Sequence, residues 1–286
     1  MKYALYLPNF GAEHSARALA GLANDAEASG WDGFFLWDHI VAGEAGMPML
    51  DVWVTLAAIA MTTSRIRIGA TVTPLPRRRP WKLARETVTL DHLSNGRLTL
   101  GVGLGVPEDY EPFGEDSDNK VRAAKLDEGL EILTGLWSGS PFEHHGQVYQ
   151  IEKTCFSPPS LQQPRIPIWV GGWWPTKAPF RRAARWDGVI PLKQEGDNLL
   201  TPRDVTELLD LIRKERSNND PFDVAIINWT DPANPQAAAE KVATYARAGT
   251  TWWLESLYMQ QNSLEGMRQR IRLGPPGKHQ QIDIQK

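Results

Sequence analysis

The chain has 286 residues, 42% hydrophobic and 23% charged, with a formal net charge of −3 and an isoelectric point near 6.1. That balance gives no electrostatic support to nucleic-acid or anionic-membrane binding, and no apolar window is long enough to span a bilayer. A single cysteine, Cys155, excludes an internal disulfide and a thiolate metal cage, and the opening MKYALYLPNF, interrupted by Pro8, fails as a signal peptide, so a cytoplasmic protein is expected.

In chain order, Lys2–Leu7 reads as a first strand closed by Pro8-Asn9-Phe10-Gly11, and Ser15–Ser29 as a helix with Leu19, Leu22, Ala23 and Ala26 on one side. Gly33–Trp37 is a second strand, followed at once by Asp38-His39, and Val52–Thr62 a second helix capped by Asp51. The stretch from Ile66 to Gly105 holds a whole βαβ unit. An apolar run through Ile66, Ile68 and Val72 stops at Thr73-Pro74, a helix begins at Pro80, Ser94-Asn95-Gly96 ends it, and Leu98–Gly103 is the next buried strand. Asn119–Trp137 is the fourth helix.

The pattern breaks at about 141–165, where two short β-like runs flank Gly146 and a proline-rich exit follows. This is expected to be an insertion between the fourth helix and fifth strand, either disordered or a functional lid. Strands at Ile166–Val170, Gly188–Leu192, Phe222–Asn228 and Thr251–Leu254 then alternate with helices at Thr176–Trp186, Pro202–Arg216, Pro235–Arg247 and Leu264–Arg272. Eight strands alternating with eight helices predict one (β/α)8 (TIM) barrel over residues 1–273, with a loose tail at 274–286. A doubly wound open sheet suits five or six units better.

Barrel active sites lie at the C-terminal strand ends. Those ends are aromatic and glycine-rich here, suiting a large, flat, partly apolar ligand, and Trp37, Trp173, Trp174 and Trp229 form a tryptophan rim. Metal catalysis is disfavoured, because of six histidines only His39 stands at a strand end. Lys193 follows the sixth strand and is a candidate Schiff-base nucleophile or a solvated loop lysine. Gly171-Gly172, before a helix, is either a phosphate-holding turn or an ordinary glycine turn.

The segments LWDH (36–39), IGATVTPLPRRRPWKLARETVTLDHLSNGRLTLGVGLG (68–105), IPIWVGGWWP (166–175) and RWDGVIP (185–191) together resemble the luciferase-like monooxygenase superfamily of barrel flavin and deazaflavin enzymes. The likeness runs to about residue 260, and Asp-His after the second strand is similar to the branch that uses coenzyme F420; other members use FMN. The resemblance implies hydride transfer between the deazaflavin and a small organic substrate, with His39 and Asp38 beside the reacting centre. Ala70-Thr71 matches the place where relatives carry a non-prolyl cis peptide behind the ring system. Gly103, Gly171, Gly172 and Trp173 would offer backbone to the cofactor, and Arg77, Arg78 and Arg79 would face its anionic tail or form an exposed basic loop. A homodimer is also implied. With FMN the pocket would instead serve oxygen insertion, and a non-catalytic flavin-binding protein is a third class.

The chain also departs from the pattern. Relatives that oxidise glucose 6-phosphate carry a glutamate just after the fourth strand, where this chain has Leu104-Gly105-Val106, and a tryptophan soon after Asp-His, where Val41-Ala42-Gly43 follows. Glu108 and Asp109 are near but displaced by at least two residues, and Glu255 at the end of the last strand is another candidate catalytic acid.

Overall fold

The computed structural model describes residues 1–41, 46–194, 196–258 and 263–277. The first half comprises β1 (Lys2–Leu7), α1 (Ala16–Ala28), β2 (Gly33–Leu36), α2 (Val52–Thr62), β3 (Arg67–Ala70), β4 (Thr73–Pro74), α3 (Pro80–Leu93), β5 (Leu100–Gly103) and α4 (Asn119–Trp137). A hairpin of β6 (Phe142–His145) and β7 (Gln150–Thr154) follows. The second half runs β8 (Ile168–Trp174), α5 (Ala178–Ala183), β9 (Gly188–Lys193), α6 (Pro202–Glu215), β10 (Asp223–Asn228), α7 (Pro235–Arg247), β11 (Trp252–Ser256) and α8 (Leu264–Arg272). Helix starts follow their capping residues: Ser15, Asp51, Asp118, Thr201, Asn234 and Ser263 each accept a first-turn N–H.

Nine strands form one sheet in the order β3-β2-β1-β11-β10-β9-β8-β5-β4, and every pairing in it is parallel. β3 and β4 are two parts of one stave, separated by Thr71 and Val72, whose connecting peptide is cis. The two ends of the sheet meet there. β5 pairs with β4, while the Ile68 N–H donates to the Arg97 carbonyl at 3.0 Å and accepts, through its own carbonyl, the Thr99 N–H at 2.9 Å. The expected (β/α)8 barrel is the observed fold.

Strand alternation divides the core into two layers. Leu5, Leu7, Phe34, Leu36, Ile68, Ala70, Leu100, Val102, Val170, Val189, Val224, Ile226 and Trp253 face the helices. Ala4, Tyr6, Phe35, Trp169, Ile190, Ala225, Ile227, Trp252 and Leu254 fill the barrel. Toward its N-terminal end the barrel is plugged by Phe35, Trp169 and Trp252, with ring centroids 5.2 to 6.0 Å apart. Side-chain volume there leaves the opposite, C-terminal end as the place for a ligand.

Two expectations fail locally. Gly171-Gly172 was to end the fifth strand at a helix, but β8 continues through both to Trp174, paired with β9 as far as Lys193. The helix after it shrinks to the six residues of α5. The 141–165 insertion is ordered rather than disordered, and it packs against α3 and α4. Arg85 donates to the Ser157 carbonyl at 2.8 Å and lies 3.7 Å from the Phe156 ring centroid, and Asp91 accepts the Leu161 N–H at 2.8 Å. Residues 278–286 of the expected loose tail lie outside the described residues.

One carboxylate fastens the hairpin turn. Glu128 of α4 accepts the N–H groups of Gln147, Val148 and Tyr149 at 2.8 to 3.1 Å and lies 3.2 Å from His144 Nε2. Burial acts to raise its pKa, but the Tyr149 N–H, His144, and the Val148 and Gln147 N–H groups together hold the carboxyl below the usual range. Glu128→Ala is therefore expected to speed hydrogen exchange at the amides of 147–149 while leaving barrel-strand amides protected. Unchanged exchange at those three amides would show that the turn holds itself.

Candidate active site

At the C-terminal end of the barrel the inward positions of each strand define a mouth. Trp37 follows Phe35 of β2, Val72 packs on the inner layer after β3, and Leu192 packs on it from β9. Trp173, four residues beyond the inward Trp169 on β8 and on the same face, keeps 39% of its surface exposed. Phe10 stands edge to face with Trp37 and Tyr258 at 5.6 and 6.0 Å between centroids, Trp37 and Tyr258 are tilted against each other at 5.4 Å, and the His39 ring packs edge-on against Phe10 and Trp37 at 6.2 and 5.9 Å.

A buried charge cluster sits at one side of this mouth. Asp38 follows β2, and its carboxylate accepts two bonds from Arg78 at 2.8 Å and one from Arg77 at 2.9 Å. Both arginines lie on the short 3₁₀ turn and its exit after β4. The Arg77 guanidinium also approaches Asp109 at 3.5 Å. Asp109 in turn meets His39 Nδ1 through Oδ2 at 2.9 Å and accepts the Ile40 and Val41 N–H groups through Oδ1 at 2.9 and 3.1 Å. Burial pushes the Asp109 pKa up, but the His39 bond and the two N–H donors outweigh it and hold the carboxyl below its ordinary value. The His39 backbone is fixed independently: Asn9 Nδ2 donates to its carbonyl at 2.8 Å, and its N–H donates to Asn9 Oδ1 at 3.2 Å. His39 Nε2 makes no hydrogen bond to the described residues.

The loop that delivers Asp109 is also tied down. The Tyr110 hydroxyl donates to the Leu104 carbonyl at 2.7 Å. Arg122 of α4 donates to the Gly105 carbonyl at 3.1 Å and lies over the Tyr110 ring. Asp109 is thus set against His39 across 70 residues of sequence, a juxtaposition the sequence shows only as one of several acids in the loop after β5.

The residues expected from the sequence divide sharply. Asp38 and His39 come together at the mouth with Arg77 and Arg78. The cis bond falls at Thr71-Val72, one residue beyond Ala70-Thr71; Ala70 itself packs in the helix-facing layer. Thr71 Oγ1 and Thr73 Oγ1 are buried without a hydrogen-bond partner among the described residues. Gly103 and Gly171 do border the mouth, but the space a Cβ would take is filled by Val72: an added Cβ would stand 2.7 and 2.6 Å from its methyl groups. Gly172 lies against Pro179 at the start of α5 instead. Because the strand continues through the glycine pair, Gly171-Gly172 is not itself a strand-to-helix turn.

Glu255 is also placed differently from expectation. It lies between the inward Leu254 and Ser256 positions on the side of β11 that carries Trp253. There it is fully buried, receiving Trp253 Nε1 at 2.7 Å and the Thr230 N–H at 2.8 Å, with Arg270 of α8 at 3.2 Å. Such a carboxylate anchors α8 and does not reach the mouth. Lys193 likewise leaves the barrel, bonding Asp204 of α6 at 2.8 Å. No group of three His, Cys, Asp or Glu able to hold a metal ion occurs among the described residues.

Comparison with known proteins places this arrangement. The model of the luciferase-like monooxygenase family matches residues 1–272. An uncharacterized protein of Mycobacterium tuberculosis is 37% identical over 184 residues, which are 64% of this chain and 61% of that protein. The F420-dependent glucose-6-phosphate dehydrogenase of Nakamurella multipartita is 32% identical over 214 residues, 72% of this chain and 60% of that enzyme. The chain therefore spans about three fifths of the length of these curated relatives. The coenzyme F420-dependent tetrahydromethanopterin reductase of Methanopyrus kandleri superposes with a TM-score of 0.76 at 18% identity, covering 95% of this chain and 96% of that one, a likeness of fold.

The packing of Val72 over the glycines is directly testable. Gly171→Ala is expected to destabilise the protein by about 1–3 kcal/mol through overpacking, and adding Val72→Ala to recover most of that loss. Urea unfolding of the four chains of this double-mutant cycle measures the coupling. A coupling near zero would show that Gly171 is not making room for Val72.

Proposed function

The chain belongs to the luciferase-like monooxygenase family, and from that premise we propose that it is a coenzyme F420-dependent oxidoreductase acting on a small, uncharged organic substrate at the barrel mouth. The observation that carries this proposal is His39, adjoining Asp38 at the end of β2, with Nε2 unbonded beside Phe10 and Trp37. The names of two similar proteins, one a relative in sequence and one in fold, support the deazaflavin.

The residues present fit such a group. Val72 and the glycine backbone at 103 and 171 give a smooth wall for a flat ring system, and Thr71 Oγ1 and Thr73 Oγ1 are buried polar atoms in want of a partner. Trp173 borders the same space. When bound, a deazaflavin supplies a ring carbon that gives or accepts a hydride. The chain's own tasks are to orient the substrate, exclude water and move the accompanying proton at His39 Nε2. Arg77 and Arg78 are taken up by Asp38 and Asp109, whereas the Arg79 guanidinium, 5.9 Å from the Trp81 ring centroid, makes no hydrogen bond or ion pair with the described residues and is left for an anionic tail. The same neutralisation argues against a phosphorylated sugar as substrate, in agreement with Leu104-Gly105-Val106 standing where the relatives that oxidise glucose 6-phosphate carry a glutamate.

Titration with F420 and, separately, with FMN, followed by quenching of tryptophan fluorescence, tests the cofactor. F420 is expected to bind the tighter. Preference for FMN would overturn the proposal in favour of the oxygen-using branch of the family, and F420 held without turnover of any acceptor in a screen would make the protein a carrier. His39→Gln is expected to slow F420-coupled turnover by about 10²–10⁴-fold while F420 affinity is kept. Undiminished turnover would remove His39 from the proton path.

A further inference from the structure

We infer that Asp109 is a positioning residue that locks His39 in the Nδ1–H tautomer, so that the nitrogen facing the mouth, Nε2, carries a lone pair. The inference rests on the proposed function only for what His39 does with that lone pair; the tautomer stands on geometry.

An ionised carboxylate only accepts hydrogen bonds. Asp109 is 1% exposed, and the polar atoms around it divide cleanly. Oδ1 takes the two backbone donors, Ile40 N–H at 2.9 Å and Val41 N–H at 3.1 Å, with the Arg77 guanidinium 3.5 Å away. Oδ2 is left to His39 Nδ1 at 2.9 Å. With no acceptor role available to it in that pair, Nδ1 must carry the proton. A neutral imidazole has one N–H, so Nε2 is then the acceptor. The ring cannot rotate to exchange its nitrogens without losing this bond and its edge contacts with Phe10 and Trp37. The carboxyl, held below its ordinary pKa by these same donors, stays an acceptor across the neutral range.

The consequence is directional. As a free base, Nε2 would accept the hydroxyl proton of a substrate alcohol whose carbinol carbon gives its hydride to the deazaflavin of the proposed function. In the reverse direction the imidazolium would give that proton to the oxygen of a carbonyl whose carbon receives the hydride, while Asp109 stabilises the charge. Either direction needs Nε2 toward the substrate and Nδ1 toward Asp109. Asp38, although adjacent in sequence, is engaged by Arg77 and Arg78 and does not serve the ring.

Asp109→Asn separates this role from a structural one. The amide has one acceptor oxygen and one donor nitrogen. The two backbone N–H groups demand the oxygen, so the NH₂ group is turned onto His39 Nδ1, which must then accept. The substitution preserves shape and inverts the tautomer. The experiment is ¹⁵N NMR of histidine side chains in the full chain without ligand, with His39 identified by the signal lost in His39→Gln. The wild-type chain is expected to show a protonated Nδ1 and an unprotonated Nε2 in neutral His39, Asp109→Asn the reverse, and Asp109→Glu the wild-type pattern. In F420-coupled turnover Asp109→Asn is expected to lose about 10–100-fold in kcat with little change in KM, and Asp109→Glu to recover part of it. An Nε2–H tautomer in the wild-type chain, or an Asp109→Asn chain that keeps Nδ1–H, would overturn the inference. The wild-type spectrum decides even if a variant fails to fold, and it decides whether or not F420 binds.

Discussion

A carboxylate removed from water has to be met by donors on every side, and two such carboxylates, Asp38 and Asp109, impose that requirement on the rim of this barrel. Their donors come from three separate places: the turn after β4 for Arg77 and Arg78, the backbone after His39, and the imidazole itself; the loop tied by Tyr110 and Arg122 brings Asp109 to them. Loss of one member of a buried charge pair costs about 3–5 kcal/mol because its partner is stranded. The loops at the mouth are therefore interdependent, and His39 is held by a network rather than by its own strand alone. The network also explains why the mouth is electrically quiet: two guanidiniums answer two carboxylates within 3.5 Å.

Space is apportioned by the same complementarity that charge is. At the N-terminal end, Phe35, Trp169 and Trp252 fill the barrel, and Gly33 and Gly188 lie where any Cβ would strike those rings. Toward the C-terminal end the large inward residues stop. Val72, projected between β3 and β4, occupies the room above Gly103 and Gly171. Volume is thus concentrated below and withheld above, which is what a barrel must do to be both a packed core and a binding site.

Most of the architecture was legible in the sequence because it follows from local rules. α2, α4, α7 and α8 match their expected spans, since caps at Asp51, Asp118, Asn234 and Ser263 and proline at the first turn of α7 are short-range signals. The failures are tertiary. Gly171-Gly172 carries the composition of a turn, yet β9 supplies a full set of strand partners and the ladder continues. The insertion has the composition of a loose loop, yet Glu128, nineteen to twenty-one residues away, gathers its turn. At the site, Asp38-His39 was readable as an adjacent pair after a strand. Asp109 was visible as an acid but not as the partner of His39, because no local periodicity reports a contact across 70 residues.

Strand parity decides which strand-end residues can do chemistry, and it separates candidates that composition alone treats alike. Lys193 and Glu255 are both charged and both at barrel strand ends, yet each sits one residue out of phase with the inward set and is claimed by a helix: Asp204 of α6 for the first, Arg270 of α8 for the second. Their inward neighbours are Leu192, Leu254 and Ser256. What remains facing the mouth is aromatic, aliphatic or hydroxylic, with one imidazole. Charge at this mouth is therefore confined to the His39 side, where it is already paired. A ligand entering past Trp173 and Tyr258 would meet an apolar wall opposite the His39 imidazole. Such a surface selects by shape and by a single polar atom of the ligand, because an additional ligand charge would be desolvated there without an answering group.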